Sequence, residues 1–313
     1  MRHRLPSAAR DAMLDNLAAA YPSLSTASLV LFARQCLSDI KADEVRQYRL
    51  QLLARPLLLR EIAKMDVVGA EHLNRVYADD RPVIFVTAHY GSFMLAALKA
   101  ALEFPGRRLN FFYNPSERNS YAATSDSLLG LANESCGILH NTPQGVMSAI
   151  RCLRRGESLC IVADQITPEG DIVFVPFFGR FYGAMQGVAF FARRSNAHVL
   201  PAFARTRADG RTILEFHEPI DPMQIHGALE EEWLYRMTCE VFAAFERQIR
   251  NAPTHWRYWR SFKRSSLGSP LPPASREAAR SQVTVIQELL THDVSLCADQ
   301  KIWDTANGIF DAR

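Results

Sequence analysis

The sequence has no uninterrupted apolar run long enough to cross a bilayer, which takes roughly 18 or more residues. Residues 1–6 are not followed by the apolar core of a signal peptide, so we predict a cytoplasmic protein. The six cysteines (Cys36, Cys136, Cys152, Cys160, Cys239 and Cys297) show neither C-x-x-C nor metal-ligand spacing. This pattern favours a reducing compartment and predicts no disulfide framework and no metal site.

Neither sign of charge dominates, because 36 Lys and Arg residues stand against 33 Asp and Glu, a net charge of +3. This balance gives no reason to expect nucleic-acid binding, and any electrostatic partner must be recognised by local patches. The composition is 48% hydrophobic, enough to bury a full core. Residues 25–59 carry apolar and charged residues at helical spacing. This is typical of helices packed on their own domain, with contact to a membrane interface as the alternative.

The order of elements predicts an α/β fold with a central, mostly parallel sheet flanked by helices. Residues 1–80 form a predicted N-terminal helical segment, and residues 81–264 the α/β core. A Pro- and Ser-rich linker at 265–274 then leads to a helical appendage at 275–313. The predicted helices are 10–20, 26–40, 44–63 with an interruption near Pro56, 92–102, 121–136, 143–155, 185–195 and 230–250. The predicted strands are 83–88, 109–113, 159–163, 172–174, 198–204 and 212–215.

A single histidine, His89, follows the predicted strand 83–88 and stands in a His-x-Gly turn with Gly91. Strand ends of parallel sheets are where α/β proteins place reactive groups, and a helix beginning after Gly91 can offer free N–H groups to an anion. The position suits a general base beside an oxyanion site. A buried structural histidine is the alternative.

Two further segments are candidates for the site. Asp164 and Gln165 directly follow the predicted strand 159–163, so the carboxylate is expected at the same sheet edge as His89, with an ordinary turn residue as the alternative. Residues 175–180 (Val-Pro-Phe-Phe-Gly-Arg) are interpreted as a loop whose phenylalanines line either the core or an apolar pocket. Residues 253–264 alternate aromatic and basic residues. We interpret them as a strand with one aromatic and one basic face, rather than a nucleic-acid or phosphate surface.

Taken in order, these segments resemble the bacterial lipid A biosynthesis acyltransferases, the late acyltransferases of the lysophosphatidic-acid type. The resemblance runs from about Arg10 to Lys263 and rests on the strings TAHYGSF, RRGESLCIVADQ, VPFFGR and GVAFFARRSNAHVLPAFAR. It implies an acyltransferase that uses no cofactor, with a phosphopantetheine-linked thioester on acyl carrier protein or coenzyme A as donor. The acceptor would be a hydroxyl or an amine. The motif histidine acts as base, and a carboxylate five residues later orients it.

The chain departs from this pattern in three places. Met94 occupies the position of the motif carboxylate, and a thioether accepts only weak hydrogen bonds. The family's arginine has no clear equivalent, and Arg118 is the candidate to replace it. The family's N-terminal membrane helix has no counterpart, which predicts a soluble or carrier-bound acceptor rather than lipid A, as in specialised metabolite assembly.

The predicted site therefore has His89 as base and Asp164 as the replacement orienting carboxylate. The predicted substrate-binding residues are Tyr90, Gly91, Ser92, Met94, Arg118, Gln165, Phe177, Phe178, Gly179 and Arg180. Basic clusters at 107–108, 151–155 and 193–194 are candidate docking points for an acidic carrier protein. Two other functions remain open, namely thioester hydrolysis or cyclisation from the same donor, and a catalytically degenerate acyl-binding module.

Overall fold

The structure, a computed structural model of the chain, describes residues 7–103, 107–113, 136–165, 172–207, 209–262 and 266. The helices in these ranges are α1 Ser7–Ala20, α2 Thr26–Gln51, α3 Arg55–Ala63, α4 Ala70–Tyr77, α5 Phe93–Glu103, α6 Pro143–Arg154, α7 Gly187–Ser195 and α8 Glu230–Asn251. The strands are β1 Asp66–Val68, β2 Val83–Thr87, β3 Leu109–Tyr113, β4 Cys136–His140, β5 Ser158–Val162, β6 Ile172–Phe177, β7 Arg180–Met185, β8 His198–Thr206 and β9 Thr212–Phe216. Within this part of the chain, no helix is both long and apolar enough to cross a bilayer.

A seven-stranded sheet has the order β1-β9-β8-β2-β5-β3-β4, in which only the β8–β9 pair is antiparallel. Every residue of β2 is buried, as expected for an apolar strand at the centre of a parallel sheet. Helices cover both faces, since Phe111 of β3 joins the core around α5 while the neighbouring Phe112 contacts Phe191 of α7 with ring centroids 5.0 Å apart. The predicted α/β class is confirmed.

The chain divides into two units. The sheet unit comprises residues 39–163 and 187–226 and holds the whole seven-stranded sheet. The hairpin unit comprises residues 1–38, 164–186 and 227–313, and its described elements include the antiparallel β6–β7 pair and α8. The predicted boundaries at 80/81 and 264/265 stay predictions, and the appendage at 275–313 lies outside the described residues.

Several local predictions differ from the structure. The break expected near residues 41–43 is absent, because Ile40, Asp43 and Leu50 keep one buried face of α2 continuous. Strand β4 begins at Cys136, where a helix was expected to end; residues 121–135 of that predicted helix lie outside the described range. Residues 253–255 and 257–260 form two 3-10 turns instead of a strand. Trp256, which lies between the turns, and Trp259 are both fully buried, so the aromatic residues of this segment pack inward from turns.

Candidate active site

The His-x-Gly turn directly follows β2 and is shaped by Gly91. The N–H of Tyr90 donates to the Ala88 carbonyl over 2.7 Å, and Gly91 then adopts φ +51° beside Ala204 of β8 in a parallel bridge. A Cβ atom on Gly91 would lie 2.1 Å from the Ala204 carbonyl oxygen. Only glycine therefore lets the chain leave β2 in this direction, and this places His89 at the carboxyl end of the central strand.

Two buried polar residues of α2 bond the turn and the neighbouring strand β8. Gln47 Nε2 donates to the Gly91 carbonyl over 3.4 Å, and Asp43 Oδ1 accepts from Thr206 Oγ1 over 2.9 Å. Sequence reasoning missed both residues. Their signal was available, because two polar residues four apart stand on the otherwise apolar face of a helix, where a buried group needs a hydrogen-bond partner.

His89 is half-buried and lies edge-on to Phe93, with ring centroids 5.2 Å apart. Tyr90 is fully buried and packs against Phe203 of β8 at 5.7 Å. Met94 is 7% exposed and belongs to the hydrophobic core of the sheet unit. The position of the family's carboxylate thus faces apolar side chains, and Met94 fills it as a core residue.

Helix α5 begins at Phe93, four residues after His89, and its leading N–H groups have no partner within the helix by the geometry of any α-helix. The Ser92 carbonyl accepts from the N–H groups of Leu95 and Ala96 at 2.8 and 3.3 Å. The Ser92 hydroxyl is fully buried and makes no hydrogen bond within the described structure. A buried polar atom without a partner costs about 1–3 kcal/mol.

A small apolar cavity lies between the sheet and α5. Its volume is about 20 Å³, room for about one water-sized sphere. It is lined by Phe85, Thr87, Phe93, Ala96, Ala100 and Cys160, among others. Burial raises the pKa of the Cys160 thiol to about 12. At pH 7 this cysteine is therefore a neutral part of the cavity lining and not a thiolate nucleophile. Phe93 contacts both the cavity and the His89 ring.

Asp164 lies in the hairpin unit and is 1% exposed. Its Oδ2 accepts from the indole N–H of Trp256 over 2.9 Å, and its carbonyl accepts from the Tyr182 hydroxyl over 3.2 Å. The bond from Trp256 gives the carboxylate a structural role, while its predicted role in orienting His89 stays a prediction. Gln165 is exposed.

Residues 177–180 belong to a β-hairpin rather than the expected loop. Phe178 and Gly179 form its two-residue turn with φ +50° and +68°, the positive values that tight hairpin turns require. Glu246 of α8 accepts from the Phe178 N–H over 2.8 Å, and the Arg250 guanidinium lies 4.7 Å from the Phe178 ring. Phe177 and Phe178 are 1% and 2% exposed within an aromatic core, and Arg180 is half-buried. Their predicted role in substrate binding stays a prediction.

Arg118 is outside the described residues. Arg151 and Arg154 are exposed near the end of α6, which packs against α7, and α7 in turn ends with exposed Arg193 and Arg194. The described residues hold no group of three or more His, Cys, Asp or Glu placed to bind a metal ion.

Comparison with known proteins adds two findings. The sequence model of a family described as bacterial lipid A biosynthesis acyltransferase matches residues 7–264. A lipid A biosynthesis acyltransferase of Haemophilus influenzae is 27% identical over 175 residues, which cover 54% of this chain and 53% of that protein. The chain thus matches about half the length of this curated relative.

Proposed function

Because this chain belongs to the bacterial lipid A biosynthesis acyltransferase family, we propose that it transfers an acyl group with His89 as the general base. The donor is a thioester on acyl carrier protein or coenzyme A, and the acceptor is an amine or hydroxyl on a soluble or carrier-bound molecule. The observation that carries this proposal is the Gly91 turn, which presents a half-buried imidazole next to the first turn of α5.

The proton balance follows from this arrangement. His89 takes the proton of the acceptor as its oxygen or nitrogen attacks the thioester carbonyl, and the oxygen of the tetrahedral intermediate accepts hydrogen bonds from the first turn of α5. Collapse of the intermediate breaks the C–S bond, and the imidazolium returns the proton to the leaving thiolate. An amine acceptor present as the free base needs less help from an oriented imidazole, so it tolerates Met94 better than a hydroxyl does.

Two features of the sheet unit support the choice of donor. The apolar cavity beside Phe93 is a starting point for an acyl chain, although its present size requires Phe93 to move. The basic ends of α6 and α7 suit an acidic carrier protein, since opposite charge steers association.

The first experiment uses mass spectrometry of products from acyl-carrier and acyl-CoA donors, with and without added amines and alcohols. His89→Ala is expected to abolish transfer while Met94→Ala changes mainly the range of substrates. Retained transfer in His89→Ala refutes the base assignment. Free acid as the sole product, whatever acceptor is added, establishes thioester hydrolysis instead.

A second experiment tests the cavity. Ala96→Leu fills it and should shift the preference toward shorter acyl chains. Ala101→Leu is the matched control, because Ala101 lies on the same helix, is 3% exposed and is absent from the cavity wall. An equal shift in both variants means that overpacking, rather than the cavity, sets chain length.

Met94 favours one alternative, a non-catalytic acyl-binding module. Met94→Glu separates the two functions. In an enzyme the added carboxylate can support His89 and raise the rate of transfer to alcohols. In a binding module it places an unsupported charge in the core and only lowers stability. Binding of acyl donors without turnover in both the parent and Met94→Glu establishes the module.

A further inference from the structure

Helix α2 carries an exposed apolar stripe in the part that belongs to the sheet unit. Val45 and Tyr48 of α2 are 41% and 61% exposed, and Leu52, one residue past the end of the helix, is 69% exposed. The Leu52 N–H donates to the Arg49 carbonyl, so the spacing of three and four residues keeps the three side chains on one side. The opposite side holds the buried Ile40, Gln47 and Leu50. Leu57 at the start of α3 is a further exposed leucine, at 52%. Single exposed apolar residues are ordinary, but a row of them on one helix marks an interaction surface.

Positive charge surrounds this stripe. Lys41 and Arg49 are exposed and flank it along α2, and residues 41–64 hold six basic against three acidic residues. One of those acids, Asp43, is buried in its bond to Thr206. A hydrogen bond from Lys64 lowers the pKa of the Glu61 carboxyl, and the charges of Arg46 and Arg60 add to this effect, so Glu61 lies among cations of α2 and α3. The third acid, Glu44, is half-buried.

We propose that the surface formed by Lys41, Val45, Tyr48, Arg49, Leu52 and Leu57, the α2 stripe, docks the protein on an anionic phospholipid bilayer. Apolar side chains enter the boundary between headgroups and acyl chains, Tyr48 sits at the headgroup level, and the cations face lipid phosphates. The helix lies in the plane of the interface. This interaction does not depend on the proposed acyl transfer.

The charge pattern selects a bilayer over the other occupants. An acidic carrier protein would match the cations but not three protruding apolar side chains on a convex helix. A second copy of the same surface would bring like charges together around the apolar contact, which costs affinity. An anionic bilayer offers an apolar region for the three side chains and negative phosphates for the cations.

The test is co-sedimentation of the full chain with phosphatidylcholine vesicles, with and without phosphatidylglycerol. We expect binding only to the anionic vesicles and weaker binding as salt rises. Replacing Lys41 and Arg49 by Gln should lower the partition coefficient about 25-fold, about fivefold for each charge. Tyr48→Ser with Leu52→Ser should lower it at least about tenfold, because each methylene inserted contributes a factor of about four.

The matched controls replace exposed apolar and basic side chains that lie outside the α2 stripe. Met147→Ser and Met223→Ser remove side chains of similar exposure, 51% and 68%, and should leave binding unchanged. Arg151→Gln with Arg154→Gln removes two exposed cations of α6 and should also have little effect. An equal loss in these controls, or an absence of vesicle binding by the parent protein, overturns the proposal.

Two other results overturn it by identifying another occupant. Sedimentation that shows self-association lost in the Tyr48/Leu52 variant assigns the stripe to a second copy. A Lys41/Arg49 variant with normal vesicle binding but slower transfer from acyl carrier protein assigns it to the carrier. If the vesicles bind as expected while no acyl donor is turned over, the proposed membrane docking is supported and the proposed acyl transfer is refuted.

Discussion

Replacing Gly91 by alanine tests the geometry that holds His89. Two costs add in this variant. An L-residue in the left-handed region costs about 1–2 kcal/mol. The new Cβ would also lie 2.1 Å from the Ala204 carbonyl oxygen, which is backbone of β8 and cannot rotate away, so repacking should cost about 1–3 kcal/mol more. We expect Gly91→Ala to lower the free energy of unfolding by about 3 kcal/mol.

Gly156→Ala is the matched control, because it changes only one of the two costs. Gly156 follows the end of α6 with φ +77°, and no atom lies within 4 Å of its would-be Cβ. Its destabilisation should therefore be about 1 kcal/mol. Urea unfolding followed by circular dichroism measures both variants, and acyl transfer is assayed on the folded fraction. Equal destabilisation in the two variants would refute the close approach of the turn to β8 and, with it, the placement of His89.

Three other perturbations address single groups. Ser92→Ala removes a buried hydroxyl that is unpaired in the described structure. The free energy of unfolding should therefore stay constant or rise by about 1 kcal/mol, while the rate of acyl transfer falls. A clear loss of stability would mean that the hydroxyl makes a structural hydrogen bond. Asp164→Asn keeps an oxygen for the Trp256 indole and should leave stability near normal, so a large loss of transfer supports the orienting role and normal transfer rejects it. Hydrogen bonds from His198 and Arg81 hold the pKa of Asp79 below its usual value. The stability that this carboxylate contributes is therefore present above about pH 4 and lost as the pH falls further. Asp79→Asn should flatten the acid side of a plot of unfolding free energy against pH, and an unchanged slope contradicts the assignment.

The parallel strands could be predicted because their signal is local. Val83–Thr87 and Ser158–Val162 are short apolar runs rich in β-branched residues, and both are buried strands in the centre of the sheet. The hairpin at 172–185 could not be predicted in the same way. Its turn puts a phenylalanine, Phe178, at positive φ, a conformation that sequence statistics assign to Gly, Asn or Asp. It is held there by Glu246 and Arg250, which lie 68 and 72 residues further along the chain.

The same division applies to the candidate site. The strand, the histidine and the glycine of the turn are consecutive in sequence, so their arrangement followed from one short string. The contacts of Gln47 with Gly91 and of Asp43 with Thr206 join α2 to residues 44 and 163 positions away, which no local pattern specifies.

Met94 shows why the support of His89 is the part that sequence leaves open. In the resemblance, a fixed spacing of five residues supplies both the base and its orienting carboxylate, so one motif specifies the pair. Here the second position has joined the core, and the Phe93 ring contacts one edge of the imidazole. A ring contact restricts the orientation of the imidazole, but it stabilises the positive charge of an imidazolium much less than a carboxylate does. Any group that stabilises the imidazolium must therefore come from outside the motif or from the substrate itself, so the reaction should be more sensitive to the basicity of the acceptor than in an enzyme with the complete pair.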